Sequence, residues 1–455
     1  MDLYGSLFRS VLYPAWETSL RGRPTLARLK YLERTQWCSL DELYALQSAA
    51  LRQLVRHAYD TVPYYSKRLR ELHLRPEDIR EPSDIVKLPL LEREDAAEHA
   101  DARVATSGPK PTIRKGTSGS TGKPLIFGYE PDSEYWRQAI KLRGYSWAGY
   151  RPGDRSLHFW GAPTFPQPSA LKRAKIAADH AVRRELVLPS TLRGDDHLKE
   201  VVKAVREFRP ANILCYSQAG GDLGRFVAQN GARDWSDIPV ICGAEKLFPH
   251  DRKALESAFG RGIFETYGSR EVMLMAAECE AHDGQHVQME NILLEVVVRE
   301  GGRVRSANVG EVGELVVTDL HNFAMPFLRY ANGDLGVWAP PSRCSCGRSL
   351  VRLSSVEGRV TETLRDANGN AVGGLAYNAM FAYLAEAVSQ FQIVQKKSGD
   401  ITLKIVPTAK YSPKVEESIR KSHRAHFGEL PLTIEQVQDI PLSKAGKRKP
   451  VIVER

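Results

Sequence analysis

The sequence predicts an α/β protein: a large N-terminal domain of parallel strands flanked by helices and carrying a β-rich lobe, then a small C-terminal α+β domain. Three observations predict it. Between residues 155 and 267, short apolar runs such as Ile213-Leu214-Cys215 and Val240-Ile241-Cys242 alternate with helix-length amphipathic segments, the pattern of parallel strands covered on both faces. After His286 the chain turns to β-branched runs set off by glycines, Ile292 to Val298 and Glu314 to Thr318, which read as a β-rich lobe. The last hundred or so residues interleave two helical stretches (375–387 and 412–427) with three strands (391–395, 401–406 and 432–437), enough for a small domain. The expected domains are 1–357 and 358–455.

In chain order, residues 39–59 place Leu43, Leu46, Leu51, Leu54 and Val55 at helical spacing, with Ser39 at the cap and Asp41 and Glu42 in the first turn. Pro63 ends that helix. The run Leu91-Glu92-Arg93-Glu94-Asp95 reads as a solvated helix start. Residues 125–129 are a short strand and 132–147 a helix; 155–161 is apolar and passes into a Gly/Pro-rich loop, 161–168. Residues 171–184 form a basic amphipathic segment, suited to a solvated face, to the phosphates of a ligand, or to peripheral contact with a membrane. Helices at 197–208, 221–229 and 249–259 then separate the apolar runs. Ligands on such sheets bind beyond the strand C-terminal ends, where Gly243-Ala244-Glu245 and Tyr267-Gly268-Ser269 fall.

With 455 residues, 42% hydrophobic and 26% charged, the chain can bury a substantial core. Its formal charge of +9 favours acidic ligands. Aromatics are not interleaved with the cations as in stacking platforms, so a zinc-stabilised nucleic-acid-binding protein is the weaker reading. No charged start with an apolar core opens the sequence, and no stretch approaches bilayer length, so a cytoplasmic location is expected. Six cysteines are too few for a disulfide scaffold; Cys38, Cys215 and Cys242 read as core residues.

The stretch richest in chemistry is Lys115-Gly116-Thr117-Ser118-Gly119-Ser120-Thr121-Gly122-Lys123-Pro124, whose glycines, hydroxyls and ammonium groups suit a polyphosphate. It departs from the Walker loop, with five residues between Gly116 and Gly122 and Pro124 after the lysine. Further along come Tyr267-Gly268-Ser269-Arg270-Glu271, Arg329-Tyr330-Ala331-Asn332-Gly333-Asp334, Gly358-Arg359 and Pro441-Leu442-Ser443-Lys444-Ala445-Gly446-Lys447. This ordered set resembles the adenylate-forming (acyl-CoA ligase, luciferase, nonribosomal adenylation domain) superfamily. Val62-Pro63-Tyr64-Tyr65, Gly243-Ala244-Glu245 and Cys344-Ser345-Cys346-Gly347-Arg348 are most similar to its phenylacetate:CoA ligase-like branch, including CapK-type proteins.

The resemblance implies ATP-dependent activation of a carboxylic acid through an acyl-adenylate, with pyrophosphate released and the acyl group passed to coenzyme A, or alternatively to an amine or hydroxyl. It implies that Thr117, Ser118, Gly119, Ser120, Thr121, Gly122 and Lys123 hold phosphates, that Ser269 meets the α-phosphate, that Glu271 holds Mg2+, and that Asp334 binds the ribose. It extends nucleotide contacts to Gly243, Ala244, Glu245, Glu265, Thr266, Tyr267, Gly268 and Arg359, and makes Lys447 the catalytic lysine of a mobile C-terminal domain. Val360-Thr361 stands where an Asp-Asp pair is usual after the hinge arginine, leaving the hinge residue open. Taken by residue type alone, Asn332-Gly333-Asp334 suits a hairpin turn and Lys444 to Lys449 a basic tail. Cys279, Cys344 and Cys346, with His282 or His286 as fourth ligand, form a candidate structural Zn2+ site.

Overall fold

The computed structural model describes residues 2–117, 125–161, 169–192, 194–359, 364–369, 371–372, 387–442 and 448–454. Ser118 to Lys123, Lys447, nearly all of the expected helix 375–387 and most of the Gly/Pro-rich loop 161–168 lie outside them. The chain forms two compact units, Met1–Pro152 with Thr266–Val356, and Gly153–Glu265 with Glu357–Arg455.

The first unit begins its core with the helix Leu40–Thr61. Ser39 Oγ accepts from the Glu42 amide at 3.3 Å, and Glu42 accepts in return from the Ser39 amide at 2.7 Å, so two amides that the first turn would leave unpaired are satisfied. Of the stripe that the spacing predicts, Leu43, Leu51, Leu54 and Val55 are fully buried and Leu46 is half-buried; Ala58 joins them in the core. Each leucine contributes about 1.5–3 kcal/mol by leaving water. Leu51→Ala would cost about 2–5 kcal/mol, because the packed site collapses only in part. Pro63 opens the next helix, Pro63–Glu71, because its fixed φ suits a first turn and no amide is lost there.

The helix is tied to an antiparallel sheet by Gln47, whose amide donates to the Ile292 carbonyl at 2.8 Å. In that sheet Ile292–Glu300 lies between Arg303–Ser306 and Val312–Asp319, and Tyr330–Trp338 pairs with the far edge of Val312–Asp319. Met273–Glu278 pairs with both Thr266–Ser269 and Gln285–Val287. A separate hairpin, Ile113–Thr117 with Leu125–Tyr129, holds the ends of the phosphate-loop motif in register, Thr117 opposite Leu125. At the centre of the unit Arg143 is fully buried and donates to both oxygens of Glu290 at 2.6 and 2.8 Å. Burial alone would raise the Glu290 pKa; the charge and hydrogen bonds of Arg143, with the Thr35 hydroxyl, outweigh it and hold the carboxyl below its ordinary value.

In the second unit the strands Glu185–Leu188, Ser156–Phe159, Asn212–Tyr216 and Val240–Gly243 lie side by side and parallel, followed by Ile263 to Glu265. Their faces are apolar, with Leu157, Phe159, Ile213, Val240 and Ile263 buried, as the continuous apolar runs require. The helices Ser217–Gln229 and Pro249–Phe259 cross closely at Gly224, where a Cβ would lie 2.7 Å from the Ala254 backbone. The C-terminal part forms a four-stranded sheet ordered Leu432–Gln436, Ile401–Pro407, Val388–Gln395, Val451–Val453. With it runs the helix Pro413–Phe427. Phe391, Ile393, Leu403, Ile405, Ile419 and Phe427 form its core.

Candidate active site and metal centre

The first unit brings two distant motifs together. Tyr267 is placed by Thr266–Ser269 and Asp334 by the strand Tyr330–Trp338; the Tyr267 hydroxyl donates to Asp334 Oδ2 at 2.9 Å. Asn332 completes the set, its Nδ2 donating to the Tyr267 oxygen at 2.7 Å and its Oδ1 accepting from the Asp334 amide at 3.0 Å. Asn332-Gly333-Asp334 therefore lies inside a strand, and Gly333 takes φ 81°, which irregular pairing demands and glycine alone adopts freely. Among the described residues, none other than its chain neighbours comes within 4 Å of where a Gly333 Cβ would stand.

Next to Tyr267, glycine at 268 is required: a Cβ there would lie 2.2 Å from the Met273 carbonyl oxygen. That close turn sets Ser269, whose Oγ accepts from the Val272 amide at 3.3 Å, and then Glu271. Glu271 is buried; Arg93 donates to its Oε1 at 3.3 Å, the Tyr330 hydroxyl lies at 3.5 Å, and its backbone carbonyl accepts from Arg137 at 2.7 Å. Burial, reinforced by the Glu271 charge, raises the Tyr330 pKa, so the phenol stays a donor beside the carboxylate. The arrangement holds one hard oxygen ligand in a fixed orientation and a second carboxylate, Asp334, in a hydrogen-bonded frame.

In the second unit Gly243 ends its strand and Ala244 takes φ 65°, a left-handed conformation that costs an alanine about 1–2 kcal/mol. Glu245 is fastened twice: its carbonyl oxygen accepts from Ser217 Oγ at 2.8 Å and its Oε2 from the Gln218 amide at 3.3 Å, at the start of the helix Ser217–Gln229. Glu265 Oε1 accepts from the Leu247 amide at 3.0 Å. Lys246 pairs with Glu357 at 2.7 Å, immediately before Gly358-Arg359.

A separate cluster in the first unit collects Cys279, His286, Cys344 and Cys346, whose donor atoms all lie within 4.8 Å of one another. Cys279 follows the strand Met273–Glu278, His286 sits in Gln285–Val287, and the other two come from the turn closed by the Gly347 amide on the Cys344 carbonyl at 2.9 Å. The Cys279–Cys344 sulfur separation is 3.7 Å and Cys346 Sγ lies 3.4 Å from His286 Nε2. Tetrahedral ligands about 2.0–2.3 Å from an ion have edges of roughly 3.5–3.8 Å, close to these two separations, so the donor set suits such an ion.

Because His286 Nδ1 faces the Leu350 carbonyl at 3.1 Å, and a carbonyl can only accept, the ring proton sits there and Nε2 presents its lone pair to the cysteines. Burial holds the His286 pKa down to about 4, so the imidazole is neutral, the form that ligates. Burial raises Cys279 to about 12; at Cys346 hydrogen bonds from the Arg348 backbone and side chain and from the neighbouring thiols overcome desolvation and lower the pKa. His282, the alternative fourth ligand, stands apart from the cluster and pairs with Glu278 at 3.5 Å.

Sequence reasoning missed three contributors. Arg93 lies in a charged run that reads as a solvated helix start, and it does begin the helix Arg93–Glu98, yet its guanidinium reaches Glu271. Tyr330 and Asn332 stand within a quoted motif, but only the fold turns them onto Glu271 and Tyr267.

The described architecture is similar to that of a solved acyl-CoA ligase. It superposes on 2-hydroxyisobutyryl-CoA ligase in its postadenylation state with an acyl-AMP, at a TM-score of 0.73 with 18% identity, over 93% of this chain and 92% of that one. Residues 364–454 match the CapK C-terminal domain family. Over 401 residues the chain is 27% identical to phenylacetate-coenzyme A ligase of Thermus thermophilus, covering 85% of this chain and 87% of that protein. Over 434 residues it is 20% identical to protein CapK of Staphylococcus aureus, covering 94% and 93%. Fold, C-terminal domain and relatives agree with the resemblance drawn from the motifs: the chain is similar to the phenylacetate-coenzyme A ligases and to CapK.

Proposed function

We propose that the protein condenses a carboxylic acid with ATP to an acyl-adenylate and then passes the acyl group to coenzyme A. In the first step a carboxylate oxygen attacks the α-phosphorus and the bond to pyrophosphate breaks. In the second the coenzyme A sulfur attacks the acyl carbon, AMP leaves with the bonding pair, and the thiol proton passes to solvent. The observation that carries this reading is the meeting of Tyr267 and Asp334, which joins the Tyr-Gly-Ser-x-Glu and Asn-Gly-Asp motifs into one polar frame inside the first unit.

In this reading Asp334 accepts from the ribose hydroxyls, Ser269 meets the α-phosphate, and Thr117 with Ser118 to Lys123 holds the outer phosphates. Glu271 holds magnesium, which neutralises phosphate charge. The buried Glu271 carboxylate, oriented by Arg93 and Tyr330, suits a hard cation that takes one or two carboxylates along with phosphates. Lys447, the cation directly after Gly446, serves the first step only. The Cys279, His286, Cys344 and Cys346 set is assigned to structural zinc, since thiolate and neutral imidazole suit that ion and four protein ligands leave no position for substrate.

The test is AMP and pyrophosphate formation across a panel of acids, with hydroxylamine trapping the adenylate, followed by addition of coenzyme A. The alternative acceptor class is an amine or hydroxyl. Acyl transfer to amines but not to coenzyme A would select it.

A further inference from the structure

The helix Ala170–Arg183 has no buried residue. Helices of this length are marginal in water, and most are stabilised by packing an apolar face that this one leaves open. Leu171, Ala174, Ala178 and Val182 recur at i, i+3, i+7 and i+11 and so form one ridge, with Leu171 83% and Val182 52% exposed. Lys172, Lys175 and Arg183 flank it, and Asp179, paired with Arg183 at 3.0 Å, is the helix's one acid. The same chemistry recurs independently in the first unit. Leu3, Leu7, Val11, Trp16 and Leu20, four or five residues apart, suit the wide winding of Phe8–Leu12 and Ala15–Leu20 and stand exposed. The Arg21 guanidinium lies 4.5 Å from the Trp16 ring centroid, a pairing suited to a headgroup boundary.

We propose that the protein docks on an anionic lipid surface, with the apolar ridge of Ala170–Arg183 in the headgroup boundary and its lysines against lipid phosphates. An occupant must satisfy two demands at once, negative charge and apolar contact along a low ridge of alanines. A bilayer rich in acidic lipid meets both without a shaped groove. No described helix is long and apolar enough to cross a membrane, so the contact is peripheral. The catalytic reading is not needed for this inference.

The experiment is flotation of the full chain with vesicles of phosphatidylcholine alone or mixed with phosphatidylglycerol, together with light scattering. Wild type should float with the mixed vesicles and not with phosphatidylcholine alone. Lys172→Glu with Lys175→Glu, and separately Leu171→Ser with Val182→Ser, should each cut binding by at least about tenfold with unchanged melting temperature, because all four positions are exposed. Failure of wild type to float with anionic vesicles overturns the proposal. So does binding that survives the Leu171→Ser, Val182→Ser change, which would mark a merely ionic contact. Concentration-dependent dimerisation abolished by that change would assign the ridge to a second copy and overturn it too.

Discussion

Replacing Cys344 and Cys346 together by serine removes two of four donors from the cluster with Cys279 and His286. The magnitude follows from connectivity. The filled site ties the Met273–Glu278 and Gln285–Val287 pair to a turn roughly 60 residues further on, and a cross-link over that span is worth about 4 kcal/mol in the chain-entropy account. The first unit has roughly 240 residues, a size for which 1 kcal/mol moves the melting temperature by about 2–4 °C, so the variant should melt about 8–16 °C lower. Chelator treatment of wild type should give a drop of the same order and leave the variant unaffected. Differential scanning calorimetry beside elemental analysis reads both quantities; about one zinc per chain is expected in wild type and none in the variant. A metal-free wild type, or a variant that melts with wild type, refutes the reasoning.

Asp334→Ala and Glu271→Ala should each slow acid-dependent pyrophosphate release by about 2–4 kcal/mol of transition-state stabilisation without lowering the melting temperature, and release at the wild-type rate would remove these assignments. Lys447→Ala should slow formation of the acyl-adenylate while sparing transfer from a synthetic one. Equal loss in both half-reactions, or the same selectivity from Lys444→Ala alone, would count against it. Arg143→Met should cost about 3–5 kcal/mol in urea titration, because Glu290 is left charged and buried. The Glu290 pKa is lowered in the fold, so its contribution is fully present above the unfolded glutamate range near about 4.3 and is lost as pH falls through the lower folded value. An Arg143→Met, Glu290→Gln chain should lack that part of the acid dependence.

Much of the fold was legible because single elements announce themselves. Ser39 and Glu42 make the capping box that their spacing suggests, the expected helix 412–427 runs Pro413–Phe427, and the β-branched runs after His286 become Ile292–Glu300 and Val312–Asp319. The pairing of Tyr267 with Asp334 was legible only as motif order, since no periodicity links residues so far apart in sequence. Asn332-Gly333-Asp334 has turn composition, yet pairing across Tyr330–Trp338 overrides that preference and uses the glycine inside the strand. Likewise spacing could not choose between His282 and His286; the strand Gln285–Val287 carries His286 to the cysteines, while the His282 side chain pairs with Glu278. Arg93 shows the limit plainly: a charge run signals exposure, and only tertiary packing reveals that one of its members faces a buried carboxylate.

The most direct test of the central claim is the nucleotide product formed with ATP, magnesium and a panel of carboxylic acids. Acid-dependent AMP and pyrophosphate in equal amounts, with one hydroxamate per AMP when hydroxylamine is present, is the predicted result. Acid-dependent ADP and orthophosphate, or no AMP with any acid in the panel, would contradict it.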